Sequence, residues 1–363
     1  MPLLVGGFLE LPLGVLAGQG RRRRLAILGG GIIFVLTLLA VAAAGSFTVL
    51  LCAFVAFYPA SGAFVSLTQA EIMDTWPDRQ AQVMARWDLA GSAGAVAGPL
   101  LLTAVLASGS GWRAGYLVLA GPATLAWLGA YLRGQAAPAA SAAETNGRDT
   151  DSGEADRENR PWTARAREIG AALRDRGTLR WLLLIEAANL LVDVFTGFLA
   201  LYLVDVAHLT PAVAALAVAI RLGAALAGDA ALVLIGERAG DLAVLRASAI
   251  ATALLYPSFL LVPGVVPKLV VLAALSAATA PWYPLLQARL YGSLPGRSSV
   301  AVTLSSAAGL AGGLGPLAVG LVAQGFGLSW ALAGLVVVPV AVLLGPAGDR
   351  SSRRGSTQPV RSG

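Results

Sequence analysis

The sequence predicts an all-α integral membrane protein with about eleven transmembrane helices in two pseudo-repeated halves, and three observations carry that prediction. The 363 residues are 57% hydrophobic and only 13% charged, with a mean hydropathy of +0.73. A soluble chain of this length carries about twice that charged fraction. Apolar residues run on for roughly 17 to 25 positions at a time, the length a helix needs to cross a bilayer. A single offset also relates several early elements to late ones, the mark of an internal repeat.

The apolar runs cover residues 2–18, 25–43, 46–68, 84–107, 114–132, 181–204, 211–235, 244–263, 267–287, 298–322 and 328–346. Their character is continuous and does not alternate, which fits helices and not barrel strands. Basic residues set the orientation. Of 26 Lys and Arg, Arg113 and Lys268 fall on one side, Arg221 lies deep in a span, and the other 23 sit on the opposite side. Basic residues beside short loops stay in the cytoplasm, so the N-terminus is expected outside and the C-terminus inside a plasma membrane. The net charge of +6 does not build a nucleic-acid surface, because the basic residues are divided among loops and form no continuous face. Cys52 and His208 are the single cysteine and histidine, so no disulfide framework, zinc site or Cys–His nucleophile pair is expected. The expected partners are the lipid bilayer, a small solute and protons, with no nucleic acid, no cofactor, no metal and a monomeric chain.

The first loop reads Gly14-Val-Leu-Ala-Gly18-Gln-Gly20-Arg21-Arg22-Arg23-Arg24. Its glycines permit a tight reversal between two helix ends, and its arginines hold it in the cytoplasm. This stretch resembles the loop between helices two and three of the major facilitator superfamily of secondary transporters, patterned Gly-x-Leu-x-Asp-x-x-Gly-Arg-(Arg/Lys)-(Arg/Lys). Gly14, Leu16 and Arg22 to Arg24 fit the pattern. Gly18 stands where the family carries aspartate, and Arg21 where it carries the closing glycine, with Gly20 one place early. Because the loop follows the first run here, the resemblance implies that the chain starts inside the family's second helix and lacks the first. Residues 1–132 then supply five spans, equivalent to helices two to six, and residues 181–346 supply six. Residues 347–363 are expected to form a disordered cytoplasmic tail.

Residues 133–180 carry nine arginines and eight acidic residues. Such a segment buries no core and is expected to be a largely disordered cytoplasmic loop. Its end is the exception. Trp162, Ala166, Ile169 and Leu173 share one face at helical spacing, which predicts an interfacial helix. Across this loop an offset of 218 lays Gln69-Ala70 over Gln287-Ala288, Pro77 over Pro295, Arg79 over Arg297, Gly91 over Gly309 and Gly94 over Gly312. The same offset places Gly18 on Gly236, in Gly236-Glu-Arg238-Ala-Gly240, where the family carries a degenerate second copy of its arginine loop. Gly14, Gly18, Arg21 to Arg24, Gly236 and Arg238 are therefore the expected conformational gate loops.

Charges inside spans cost about 2.5–3.5 kcal/mol each at the centre and require a reason. Glu186, Asn189 and Asp193 lie on one face of the run 181–204, and Arg221 lies at comparable depth in the next run. Asp193 and Arg221 read either as a structural ion pair that fixes helix register or as a substrate- or proton-coupling pair lining a cavity. Gly94-Ala-Val-Ala-Gly98-Pro99 likewise reads two ways. Small residues four apart let helices pack closely, while Gly-x-x-x-Gly-Pro resembles the antiporter signature of the superfamily. Asp88, Arg86 and Asp229 read as charges at helix ends, with Arg86 and Asp88 candidates for an inner gate.

These features point to a permease that works by alternating access and is driven by an ion gradient, since the chain has no ATP-binding Gly-x-x-x-x-Gly-Lys-Ser/Thr loop. Proton-coupled efflux of an amphipathic or hydrophobic compound, by antiport, is the first expectation. Proton-coupled uptake of a polar metabolite, a sugar or organic acid, is the second. A non-transporting sensor of transporter ancestry is the third. No enzyme is expected, because neither His-Glu-x-x-His nor Gly-x-Ser-x-Gly occurs.

Overall fold

A computed structural model describes residues 20–144, 162–236, 238 and 240–348. The first apolar run, with Gly14 and Gly18, and the tail expected at 347–363 (apart from residues 347–348) lie outside the described residues. Every regular element among the described residues is helical. In order they are α1 (Arg21–Ala43), α2 (Phe47–Thr75), α3 (Gln80–Ala107), α4 (Gly111–Glu144), α5 (Trp162–Arg174), α6 (Arg176–Leu201) and α7 (Pro211–Ile235). Then follow α8 (Asp241–Leu261), α9 (Val265–Thr279), α10 (Trp282–Ser293), α11 (Ser298–Gly312), α12 (Gly315–Phe326), α13 (Leu328–Ala333) and α14 (Val337–Leu344). Nine spans among the described residues are long and apolar enough to cross a membrane, and Leu328–Leu344 is a shorter apolar helical stretch. The chain is an all-α multi-pass membrane protein.

Several helices outrun their apolar stretches. α2 continues to Thr75 through Gln69, Glu71 and Asp74, because a helix keeps its backbone ladder after leaving hydrocarbon. α4 likewise continues past the apolar run to Glu144 through an alanine-rich sequence with high helix propensity. Two spans are interrupted instead. α9 stops at Thr279 and α10 starts at Trp282, around Pro281, whose missing N–H cannot continue the ladder. α11 stops at Gly312 and α12 starts at Gly315. The helix expected near the end of the polar segment is present as α5.

The described residues fall into two compact units, each described by itself. One draws on the chain up to Gln80, on Gly94–Arg174 and on Leu294–Ala311. In it, a β-carbon at Gly30 of α1 would stand 2.8 Å from the Ala63 β-carbon of α2, so only glycine permits this approach. Trp127 of α4 closes the other side, its indole N–H donating to Leu28 O at 3.0 Å. The other unit draws on Ala81–Ala93, Asp175–Ser293 and Gly312 onward. Its centre is an aromatic group in which Phe195 of α6 meets Tyr256 and Phe259 of α8 edge-on, at 5.7 and 5.2 Å between ring centroids. Buried hydroxyls find backbone acceptors, with Tyr202 donating to Leu260 O at 3.0 Å and Tyr256 to Leu332 O at 2.9 Å. Lys268 of α9 is 5% exposed and donates to Phe259 O at 2.7 Å, beside the rings of Tyr202 and Phe259.

Asp175 starts α6. Its carboxylate accepts from the Thr178 backbone N–H and from the Thr178 hydroxyl, both at 2.8 Å. The backbone donor first, and the hydroxyl second, hold this carboxyl below the ordinary aspartate range. A folded-state value below the unfolded one stabilises above the unfolded pKa and loses that stabilisation as pH falls through the folded one. Asp175→Ala is expected to cost about 1 kcal/mol at neutral pH. In melting experiments on the full chain in detergent, the gap to the parent should be flat near neutrality and close below about pH 4. Asp175→Asn should keep most of the cap and lose the pH dependence.

Candidate functional site

Helical spacing puts Glu186, Asn189 and Asp193 on one face of α6. The neighbouring positions Ile185, Ala188, Leu191 and Val194 are buried and fix which way that face turns. Asp193 is exposed. Intramembrane carboxylates generally face a bundle interior or a water-filled cavity, which makes this face of α6 a candidate site. Arg221, on α7, is partly buried and donates a long hydrogen bond of 3.5 Å to Val192 O. Asp193 and Arg221 attract one another through space without closing to a direct salt bridge. Arg221 also lines a cavity inside the second unit with Leu191, Val192, Phe195, Tyr256, Ser276 and Thr279.

Glu186 is placed by the interruption between α11 and α12. A β-carbon at Gly312 would overlap Glu186 Oε2, so the carboxylate leans on bare backbone at the break. Gly315 is filled in the same way by Leu190 of α6. An interrupted span presents unpaired backbone groups and a helix N-terminus to its surroundings, which is how membrane helices make polar sites at depth. Glu186, Asp193 and Arg221 thus share one unit and one neighbourhood.

A second cluster forms where α1 begins. Gly20 caps α1 with φ of 65°, a conformation open to glycine and strained for other residues. Of the four arginines, Arg21 and Arg22 are exposed and Arg24 is partly buried, while Arg23 is 5% exposed. Arg23 Nη1 donates to Asp74 Oδ2 at 2.7 Å, and Arg23 Nη2 donates to Ser298 Oγ at 2.9 Å. Ser298 in turn donates to Asp74 Oδ2 at 2.5 Å. The three side chains close a triangle that joins the start of α1, the end of α2 and the start of α11.

Asp74 and Ser298 are site residues that sequence reasoning missed. Asp74 carried a signal, as an acidic residue three positions after Glu71 at the polar end of an apolar run; Ser298 carried none. In the later loop, Gly236 caps α7 and Arg238 is exposed. Among the described residues, a β-carbon at Gly94 or Gly98 would meet nothing within 4 Å. α3 continues as helix through Pro99.

Sequence and structure comparisons agree with this architecture. The family model described as Major Facilitator Superfamily matches residues 1–275. A crystal structure of the E. coli fucose:proton symporter is similar at 15% identity with a TM-score of 0.74, covering 95% of this chain and 88% of that one. A proton:xylose symporter structure, at 12% identity and a TM-score of 0.69, covers 94% of this chain and 83% of that one. No curated protein matches.

Proposed function

The chain belongs to the major facilitator superfamily, and from that premise we propose that it is a proton-coupled secondary transporter whose charged site is built by α6 and α7. The observation that carries the reading is Asp193, exposed in mid-span opposite the charge of Arg221. Protonating Asp193 releases Arg221 from its attraction, so proton binding and the solute-facing charge of the cavity change together. Glu186 and Asn189 extend the same face and supply hydrogen-bond partners. The Arg23–Asp74–Ser298 triangle acts as the cytoplasmic latch, with the later loop at Gly236 and Arg238 as its counterpart. The two halves, residues 1–132 and 181–346, rock about the site in a plasma membrane, with the C-terminus in the cytoplasm and the chain acting as a monomer.

Efflux of an amphipathic compound is the direction we propose, because α3 carries the Gly94, Gly98 and Pro99 element, whose glycines meet no neighbour among the described residues, and the cavity beside Arg221 is largely apolar. Uptake of a polar metabolite is the second reading. It is favoured by Glu186 and Asp193 on one face, and the structural neighbours are themselves sugar:proton symporters. Flux in proteoliposomes under an imposed pH gradient separates the two. Cationic dyes moving against the proton gradient support efflux; polar metabolites moving with it support uptake. Ligand binding by folded protein with no flux of either kind would replace both with a sensor.

A further inference from the structure

Two turns beyond Arg221, α7 carries its one acidic residue, which the transport reading does not use. Asp229 is 2% exposed. Its Oδ2 accepts a hydrogen bond from the Ser92 hydroxyl of α3, while its Oδ1 is buried with no hydrogen-bond partner among the described residues. Asp88 stands one helical turn before Ser92, on the same face of α3, and its carboxylate is within electrostatic reach of Asp229. Two carboxylates facing each other at low dielectric cannot both stay ionised without a large penalty, and a buried acceptor without a donor adds its own. One proton relieves both.

We propose that Asp88 and Asp229 hold a single proton between them, as a second proton-binding site of this chain, with Ser92 orienting the pair. The event is proton binding alone: one O–H bond forms and no other bond changes. A hard metal cation fits less well, because it needs about six oxygen ligands. Here the Ser92 hydroxyl already points its hydrogen at Asp229.

On α3, Arg86 is two residues from Asp88 and so on another side of the helix, where it lines a separate cavity with Asp241 of α8. Asp241 lies 3.7 Å from Arg289 of α10. On α7 the nearest cation is Arg221, two turns away. Ala277 of α9 and Ala280 just after it meet this stretch of α7, and α6 directs Glu186 to Gly312. The consequence rests on the transport reading above: α3 belongs to the first proposed half and α7 to the second, so the shared proton holds them together and its loss drives them apart. Proton release at this level would then be tied to opening.

Infrared difference spectroscopy of the full chain in nanodiscs, between high and low pH and without solute or gradient, tests this directly. The parent should show a protonated-carboxyl band worth one proton per chain, lost alike in Asp88→Asn and Asp229→Asn and retained in Asp193→Asn. Ser92→Ala should shift the band and keep the proton, which decides the matter if an Asn variant does not fold. A band unchanged in both Asn variants would overturn the proposal, as would its removal by sodium at fixed pH. Because the readout needs no transport, failure of the transporter reading would leave this band in place.

Discussion

Arg23→Ala should shift the conformational balance of this protein about a hundredfold and remove most of its flux. The guanidinium is buried and makes two of the three bonds in the triangle with Asp74 and Ser298. Removing one partner of a buried pair costs about 3–5 kcal/mol, because the remaining charge loses its compensation. Asp74 is 30% exposed and recovers part of that from water, so the lower end applies. About 3 kcal/mol is roughly two decades in a two-state equilibrium. Arg23→Lys keeps the charge but not the fork that reaches both acceptors, and should fall between the two. Labelling of Ser299→Cys by an impermeant maleimide, in a Cys52→Ala background, reads the opening. Equal labelling and equal flux in parent and Arg23→Ala would end the latch assignment.

Asp193→Asn should abolish accumulation driven by a pH gradient while leaving the fold intact. A gradient of one pH unit is worth about 1.4 kcal/mol per proton, so a one-for-one exchanger accumulates its solute about tenfold. Without a titratable group at this position the ratio should fall to about one, even though downhill exchange continues. Asn is close in shape to a protonated aspartate, so the helix packing of α6 has no reason to change. Accumulation that persists in the variant would move the coupling role to Glu186 or to the Asp88–Asp229 pair.

Much of this architecture is legible in the sequence because lipid imposes a simple rule: continuous apolar runs must become helices. The face carrying Glu186, Asn189 and Asp193 is equally legible, since all three are read from one helix. Other features require distant segments to meet. Four consecutive arginines look alike in sequence, and only the seating of α1 against α2 and the start of α11 makes Arg23 the buried one. Ser92 and Asp229 are separated by 137 positions, so neither announces the other. Gly312 and Gly313 look like ordinary small residues of a span. That they interrupt it follows from Glu186 occupying the space beside Gly312. The glycines at 94 and 98 show the converse case, where a spacing associated with tight packing meets no neighbour among the described residues.

Lys268 is the only lysine among the 363 residues, and its ammonium is folded into the corner between α8 and α9. The side chain that most protein chemistry relies on is therefore withheld from the surface. Amine-directed dyes, cross-linkers and acylating reagents will find only the terminal amine on the native molecule, and a lysine-specific protease will have a single, shielded cut. The same scarcity makes Lys268 a sentinel. Any modification there reports that the α8–α9 corner of this helical hairpin has come apart, against a background that contributes no other side-chain amine.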